Sequence, residues 1–237
     1  MLDVFITGAN RGIGLEFTRQ YLARGERVFA ALRNPKRGAA LHELQTQYGD
    51  RLSLIPLEVT DGAQIASAYK MTCSQTEKLD LLINNAGIFH PSNELDEITP
   101  DLLSQSFAVN AIAPLQIIQT FADLLAAGEN PRIVNITAPV PAIHALKRTQ
   151  NHMYLASRYA LNALTRMIAP ELQTRGILAV GLWPGYIRTD MNQMAEGATP
   201  PDVALPPVIS VIDSIRAEHC GLCLTPDGAL YPPPTDD

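Results

Sequence analysis

A glycine-rich turn near the amino terminus is the first stretch of this sequence whose spacing points to chemistry. Thr7-Gly8-Ala9-Asn10-Arg11-Gly12-Ile13-Gly14 separates an apolar run from a segment of helical period. Glycines let the backbone turn tightly against a pyrophosphate, and the N-terminus of the following helix offers free N–H groups and the positive end of its dipole. The turn therefore predicts a nucleotide-binding site, with a purely structural turn as the alternative.

Two arginines indicate which nucleotide this turn favours. An NAD site is expected to place a carboxylate about 20 residues beyond the glycines, where it accepts from the ribose 2′-hydroxyl. The sequence there reads Ala30-Ala31-Leu32-Arg33-Asn34 and contains no carboxylate. Arg33, together with Arg11 in the turn, could instead pair with a 2′-phosphate as a forked donor. The pattern favours NADP(H) over NAD(H), unless both arginines are merely solvated.

Apolar runs alternating with helical segments must position this turn. Six runs are nearly continuous in apolar residues, which is typical of parallel strands buried on both faces. They are Leu2–Thr7, Arg27–Leu32, Leu52–Leu57, Leu79–Asn84, Arg132–Thr137 and Ile177–Trp183, with helical segments near 13–24, 38–47, 62–75, 100–127 and 153–175. The alternation predicts an α/β fold, a single doubly wound Rossmann-type parallel sheet with helices on both faces, formed by residues 1–237 as one domain.

The last part of the chain departs from this rhythm. Asn192–Pro207 carries one glycine and four prolines, which predicts neither regular helix nor central strand. Such an excursion is typical of a binding loop, and we expect a substrate loop at about 186–207. Val208–Ile215 resumes a helical pattern, and Gly221–Thr225 could add a final strand.

Composition narrows the partners and the compartment. The 237 residues carry a net charge of −6, which argues against nucleic acid or an anionic membrane as a partner. Three cysteines cannot form a disulfide framework, so we expect a cytoplasmic protein. The sequence contains one C-x-x-C pair but no second pair, and we therefore expect no metal site. The uncharged run Leu102–Ala122 could span a bilayer by length, but its asparagine, proline and three glutamines predict a buried helix.

Five motifs, taken in order along the chain, resemble the short-chain dehydrogenase/reductase family. They are Thr7–Gly14, Asn84–Gly87, Asn110, Tyr154 and Pro184–Thr189, so the resemblance covers essentially the whole chain. Their spacing and the ending of the chain are most similar to the C-factor-like, sniffer-like and carbonyl-reductase-like branch. The resemblance implies an NADP(H)-dependent oxidoreductase acting on a small carbonyl or alcohol substrate. It also implies either a homodimer formed through helices 100–127 and 153–175, as is common in the family, or a monomer, as in some relatives of this branch.

The resemblance further implies a set of cofactor contacts. Asn85–Gly87 would line the adenosine and ribose, and Pro184–Thr189 would face the nicotinamide carboxamide. Glu58 and Val59 would hold the adenine, although the family usually has an aspartate at the first of these positions. The full implied cofactor-binding set is Gly8, Asn10, Arg11, Gly12, Ile13, Gly14, Arg33, Glu58, Val59, Asn85, Ala86, Gly87, Tyr154, Arg158, Pro184, Gly185, Ile187 and Thr189.

The implied catalytic residues depart from the family at two of four positions. Reductases of this family pair an acidic tyrosine with a lysine four residues later, assisted by a serine and an asparagine. Here Tyr154 would donate the proton, and Asn110 would position a water or the helix backbone. Arg158 stands in place of the lysine. It keeps the cation on the same helix face but does not readily release a proton.

The second departure is Ala138, which stands where the family has its serine. Losing one donor to the reacting oxygen typically costs about 10²–10³ in rate. Thr137 carries a hydroxyl next door, but strand alternation directs it to the opposite face. Two hypotheses follow from the sequence. One is a reductase with a weakened catalytic site, and the other is an NADP(H)-binding regulatory or signalling protein in which hydride transfer is impaired.

Overall fold

A computed structural model describes residues 1–92, 94–141, 143, 146, 150–192 and 196–231. Within them, seven parallel strands form one sheet in the order β3-β2-β1-β4-β5-β6-β7. The strands are β1 (Asp3–Thr7), β2 (Arg27–Leu32), β3 (Leu52–Pro56), β4 (Leu81–Asn84), β5 (Arg132–Ile136), β6 (Leu178–Leu182) and β7 (Cys223–Leu224). The predicted doubly wound α/β fold is confirmed, and the final strand is present in shortened form.

Helices connect successive strands and cover both faces of the sheet. They are α1 (Gly12–Ala23), α2 (Ala39–Tyr48), α3 (Gly62–Cys73), α4 (Pro100–Phe107), α5 (Ala113–Ala126), α6 (His152–Thr174) and α7 (Pro201–Asp213). A π-helical turn at Ala108–Ile112 joins α4 to α5. Such turns are frequent at functional sites, and this one carries Asn110.

The strands are apolar at nearly every position because both faces of the sheet are covered. In β1, Val4 and Ile6 belong to the core shared with α1, α2 and α7. Phe5, between them, belongs to the core shared with α3, α5 and α6. Since successive strand residues point to opposite faces, this sheet buries all of β1. Complete burial holds the carboxyl ends of the strands in fixed positions.

One prediction about the carboxyl-terminal part is wrong. Asn192–Pro207 was expected to contain no regular helix, but α7 begins at Pro201, so the expected loop at 186–207 ends before that residue. Pro201 opens the helix at a position whose N–H has no helical partner. Pro206 and Pro207 lie inside α7 and face solvent, while the opposite side of the helix is buried in the core. Burial of that apolar side stabilises the helix by about 1.5–3 kcal/mol per fully buried side chain. This gain outweighs the cost of about 3 kcal/mol for each proline inside the helix. The apolar side consists of Leu205, Val208, Ile209 and Ile212.

The apolar segment Pro100–Ala126 is a core element of the fold. It is long and apolar enough to cross a membrane, but 56% of its most apolar 18-residue window is buried inside the protein. The Phe121 ring lies 4.6 Å from the Phe5 ring of β1 and 5.4 Å from the Tyr69 ring of α3, measured between centroids. This packing agrees with the buried helix that the sequence predicts.

Candidate active site

A cavity of about 970 Å³ opens along the carboxyl ends of β1 to β6. The chain crosses from one side of β1 to the other between β3 and β4, and such a switch point is where doubly wound sheets bind ligands. Every residue predicted to bind the cofactor lines this cavity except Gly14. Of the three predicted catalytic residues, Tyr154 and Arg158 line it, and Asn110 lies behind its wall.

The glycine turn is shaped by two residues with left-handed backbone. Gly8 and Gly12 have φ of +65° and +53°, which other residues rarely adopt. A Cβ atom on Gly8 would lie 3.0 Å from the Cα atom of Ala86. Gly14 is needed for a different reason, because a Cβ there would lie 2.4 Å from the carbonyl oxygen of Gly8. Gly14 thus packs α1 against the turn and has no surface in the cavity.

Hydrogen bonds tie this turn to the segment after β4. Thr7 Oγ1 accepts from the backbone N–H groups of Asn85 and Ala86, at 3.0 and 2.9 Å. Asn85 Nδ2 donates to the carbonyl oxygens of Thr7 and Gly8, at 2.9 and 3.2 Å. The two loops that flank the switch point therefore form one rigid wall of the cavity.

The N-terminus of α1 meets the cavity without a cap. Arg11 is the N-cap residue, its side chain makes no capping hydrogen bond, and the first turn contains no acidic residue. Gly12 and Ile13 of that turn line the cavity. Uncapped N–H groups and the positive end of the helix dipole together form an anion-binding position. The site therefore fits a diphosphate group.

Both arginines singled out for nucleotide choice lie at the cavity mouth, each beside a carboxylate. Arg33 Nη1 is 3.9 Å from Glu58 Oε2, and Arg11 Nη1 is 3.1 Å from Asp190 Oδ2. Glu58 also accepts from the N–H and hydroxyl of Thr60, at 3.4 and 3.2 Å. The mouth is thus lined by balanced charge pairs.

Tyr154 and Arg158 lie together at the other end of the cavity. They are one turn apart on α6, and the Arg158 Cζ atom is 5.0 Å from the centroid of the Tyr154 ring. The Phe89 ring packs edge-on against the same tyrosine, at 5.4 Å between centroids. The cation is therefore in contact with the phenol ring, as the helical spacing predicts.

Arg158 is a buried cation with no carboxylate partner among the described residues. Its side chain is 3% exposed, and Nη1 donates to the carbonyl oxygen of Ile136 at 3.0 Å. Its Nε has no hydrogen-bond partner, and no carboxylate among the described residues lies within 4.0 Å of it. Because an isolated buried charge is costly, the position favours a ligand that brings acceptor oxygens into the cavity.

Asn110 holds two elements together behind the cavity. Its Oδ1 accepts from the backbone N–H of Ile88 at 2.9 Å, and its Nδ2 donates to the Ile88 carbonyl at 3.0 Å. The same Nδ2 donates to Ser157 Oγ at 3.0 Å, and Ser157 donates to the Tyr154 carbonyl at 2.7 Å. Asn110 is fully buried, so it connects the loop after β4 to the backbone of α6.

Thr137, which follows β5 and precedes Ala138, carries a hydroxyl that is engaged elsewhere. Ala138 lines the cavity and is 6% exposed. The hydroxyl of Thr137 donates to Asn162 Oδ1 at 2.7 Å, toward α6. Thr137 also lines the cavity, but this contact already engages its hydroxyl.

Sequence reasoning missed two residues of this region. Ser157 links Asn110 to the Tyr154 backbone, and Phe89 sets the orientation of the Tyr154 ring. Ser157 lies three residues after Tyr154, so helical spacing could have placed it near that residue. Phe89 lies within the loop after β4, where no periodicity indicates the position of a side chain.

Among the residues that the structure describes, the groups whose pKa clearly departs from its ordinary value lie outside the cavity lining. Burial raises the pKa of the Cys223 thiol to about 11, and its Sγ would lie 2.7 Å from a Cβ on Gly181. Burial also raises the pKa of Tyr159. Close packing against β6 is typical of a structural cysteine.

A doubly wound sheet with an anion-binding helix end and a tyrosine–arginine pair across one cavity defines a class, the dinucleotide-dependent oxidoreductases. Comparison with known proteins identifies the family. The short chain dehydrogenase pattern matches residues 3–199. This chain therefore belongs to the short-chain dehydrogenase family and is an oxidoreductase of that family.

Individual relatives agree with this assignment. A short-chain dehydrogenase of Pyricularia oryzae is 31% identical, with 97% of each chain covered. An uncharacterized oxidoreductase of Schizosaccharomyces pombe is 29% identical over 96% of each chain. The crystal structure of an NADPH-bound carbonyl reductase from chicken fatty liver superposes with a TM-score of 0.90 at 33% identity, covering 97% of this chain and 98% of that one.

Proposed function

We propose that the protein is an NADP(H)-dependent reductase that transfers a hydride between the nicotinamide and a small carbonyl or alcohol substrate. The observation that carries this proposal is Arg158, a buried guanidinium with no carboxylate partner among the described residues, in contact with Tyr154 at one end of the cavity. A cation at that position stabilises a phenolate as a tyrosine gives up its proton.

The opposite end of the cavity would hold the rest of the cofactor. The uncapped N-terminus of α1 would bind the diphosphate, and Arg33 with Arg11 would pair with the 2′-phosphate. Asn85–Gly87 and Val59 would lie against the adenosine, and Pro184–Thr189 against the nicotinamide end. The similar chicken carbonyl reductase was crystallised with NADPH, which supports NADP(H) for this chain.

At the reacting end, the bound nicotinamide supplies or accepts the hydride, and the chain's own residues manage the proton. Tyr154 donates a proton to the carbonyl oxygen as that oxygen becomes an alcohol, and it takes the proton back in the reverse direction. Arg158 stabilises the phenolate and donates to ribose hydroxyls. Asn110 is a positioning residue, because it holds Ile88 and Ser157 and touches neither cofactor nor substrate.

Ala138 limits the rate that this arrangement can reach. Without a serine hydroxyl, Tyr154 alone donates to the substrate oxygen, and the loss of one such donor typically costs about 10²–10³. Thr137 does not compensate, since its hydroxyl donates to Asn162. We therefore expect slow turnover, or turnover of carbonyls that need little acid assistance.

The proposal is tested by following NADPH absorbance with a panel of aldehydes, ketones and quinones. Wild-type protein is expected to oxidise NADPH with at least one of them, and Tyr154→Phe is expected to lose at least tenfold in kcat without losing NADPH affinity. Tyr48→Phe, a change of the same type on α2, is the matched control and should keep full activity. Tight NADPH binding with no turnover on any substrate would instead favour the regulatory alternative.

Restoring the family residues separates the two hypotheses further. Ala138→Ser combined with Arg158→Lys rebuilds the serine and the lysine at once. If the native chain is an enzyme adapted to its present residues, this double substitution should change its turnover little. A large gain from near zero would show that the native chain is not built for hydride transfer.

We further propose a cytoplasmic homodimer. Ile112 beside α5 and Met167 on α6 are 48% and 74% exposed, and both belong to the helices 100–127 and 153–175. Burying such side chains between two copies would remove apolar surface from water. Sedimentation analysis is expected to show a dimer that Met167→Lys converts to monomer. The three free thiols suit a reducing compartment.

A further inference from the structure

The arginines at the cavity mouth are already paired before any nucleotide is considered. Arg33 lies 3.9 Å from Glu58, and Arg11 lies 3.1 Å from Asp190. All four side chains belong to residues that line the cavity. A carboxylate and a phosphate use the same forked face of a guanidinium, so either anion can take it.

Asp190 reaches Arg11 from the far side of the cavity. The two residues are 179 positions apart in sequence and meet because Thr189 packs against the glycine turn. The Thr189 Cγ2 atom would lie 3.3 Å from a Cβ on Gly12. The contact therefore bridges the glycine turn and the segment after β6, and it holds Arg11 toward that segment.

Glu58 lies where its carboxylate can hold Arg33. It follows β3, while Arg33 follows β2, the neighbouring strand whose end sets the choice between ribose 2′-hydroxyl and 2′-phosphate. Its carboxylate can accept from a hydroxyl but is repelled by a phosphate. Thr60 holds one of its oxygens, so the carboxylate stays near Arg33.

We infer that Glu58 and Asp190 are specificity-determining residues that compete with the 2′-phosphate of NADP(H) for Arg33 and Arg11. Binding NADP(H) exchanges each carboxylate for phosphate oxygens, whereas binding NAD(H) leaves both pairs intact. The two carboxylates thus lower the preference for NADP(H) below the value that two unpaired arginines would give. This inference rests on the proposed function of the same cavity.

The test uses two substitutions of nearly equal size, Glu58→Gln and Asp190→Asn. Glutamine keeps an oxygen that can accept from Thr60. Asp123→Asn is the matched control, because Asp123 makes an exposed ion pair at 2.6 Å with Arg175 outside the cavity lining. Dissociation constants are measured by calorimetry for NADP⁺ and NAD⁺, and for adenosine 2′,5′-bisphosphate and 5′-AMP, which differ only in the 2′-phosphate.

Each cavity variant is expected to bind NADP⁺ and the bisphosphate about two- to fivefold more tightly. This change in affinity corresponds to the free energy of one exposed ion pair. Binding of NAD⁺ and AMP should stay constant or weaken, and Asp123→Asn should change no ratio. The double variant should show roughly the product of the two effects, since the pairs are separate. Unchanged ratios, or weaker binding of the 2′-phosphorylated ligands, would overturn the inference.

The two proposals fail in different ways. Wild-type protein that binds none of the four ligands refutes the proposed function and this inference with it. Wild-type protein that binds NADP⁺, with variants whose ratios match the wild type, refutes the inference alone. Thermal denaturation of each variant without ligand confirms that the comparison is made between folded proteins.

Discussion

The close contact between Gly87 and Arg158 gives a prediction that the structure makes quantitative. A Cβ atom built on Gly87 would lie 2.6 Å from Nη2 of Arg158 and 3.3 Å from Oδ1 of Asn110. Gly87 is absent from the glycines with positive φ, so alanine is free of backbone strain there. Gly87→Ala therefore tests the position of the buried guanidinium and of the Asn110 side chain beside it.

The size of the effect follows from how far Arg158 must move. To reach ordinary contact distance, the guanidinium must shift by roughly 1 Å, which breaks its 3.0 Å hydrogen bond to Ile136. A hydrogen bond to a charged group is worth about 1.5–3 kcal/mol, and overpacking a well-packed site costs about 1–3 kcal/mol. We expect Gly87→Ala to lower the free energy of unfolding by about 1–3 kcal/mol and to weaken NADP(H) binding.

Arg158→Lys provides the rescue. Lysine lacks the Nη2 atom that the new methyl group meets, so the double variant should be more stable than the two single effects predict. We expect a coupling energy of about 1–2 kcal/mol from a double-mutant cycle measured by urea unfolding. Gly62→Ala is the matched control, because no atom lies within 4 Å of a Cβ there. Additive effects, or a loss at Gly87 no larger than at Gly62, would refute the placement of Arg158.

Three further predictions follow from the structure. Asn110→Ala leaves Ile88 and Ser157 without their partners, so thermal unfolding should show a loss of about 2–4 kcal/mol, and a loss below 1 would contradict the bridging role. Burial raises the pKa of Cys223 from 9.0 to about 11, so iodoacetamide at pH 8 should modify it about 100-fold more slowly than a cysteine peptide, and equal rates would contradict that burial. Asp61 is the N-cap of α3, and hydrogen bonds from Gln64 and Ala63 lower the pKa of its carboxyl group. The ionised carboxylate stabilises the helix at neutral pH, and this contribution is lost as the pH falls through the lowered pKa. The stability advantage of wild type over Asp61→Ala should therefore shrink in acid, and an advantage that grows would refute the assignment.

Much of the fold was predictable because a strand that is buried on both faces has a recognisable run of apolar residues in its sequence. A strand such as β1 carries buried apolar residues on both faces, Val4 and Ile6 on one and Phe5 on the other, so its apolar run could only be a buried parallel strand or a buried helix. The glycine turn after Thr7 sets its length. The start of α7 was not predicted, because the four prolines of Asn192–Pro207 were given more weight than the helical spacing of the apolar residues of α7. Its buried positions 205, 208, 209 and 212 do follow the spacing of a helix.

The candidate site likewise contains some contacts that the sequence predicts and others that only the folded chain produces. Tyr154 and Arg158 are neighbours on one helix, so their contact follows from four-residue spacing. The pairing of Arg11 with Asp190 joins segments that only the folded sheet brings together, and no local pattern reports it. The direction of Thr137 was predictable from strand alternation, whereas its partner Asn162 depends on how α6 packs on β5.

The central claim is that the cavity between the glycine turn and Tyr154 holds a dinucleotide. Titrating the purified protein with NADPH, while following nucleotide fluorescence and the melting temperature, tests it most directly. We expect saturable binding of one NADPH per chain, enhanced nucleotide fluorescence and a melting temperature that rises with NADPH concentration. A protein whose fluorescence signal and melting temperature stay constant with both NADPH and NADH would contradict it.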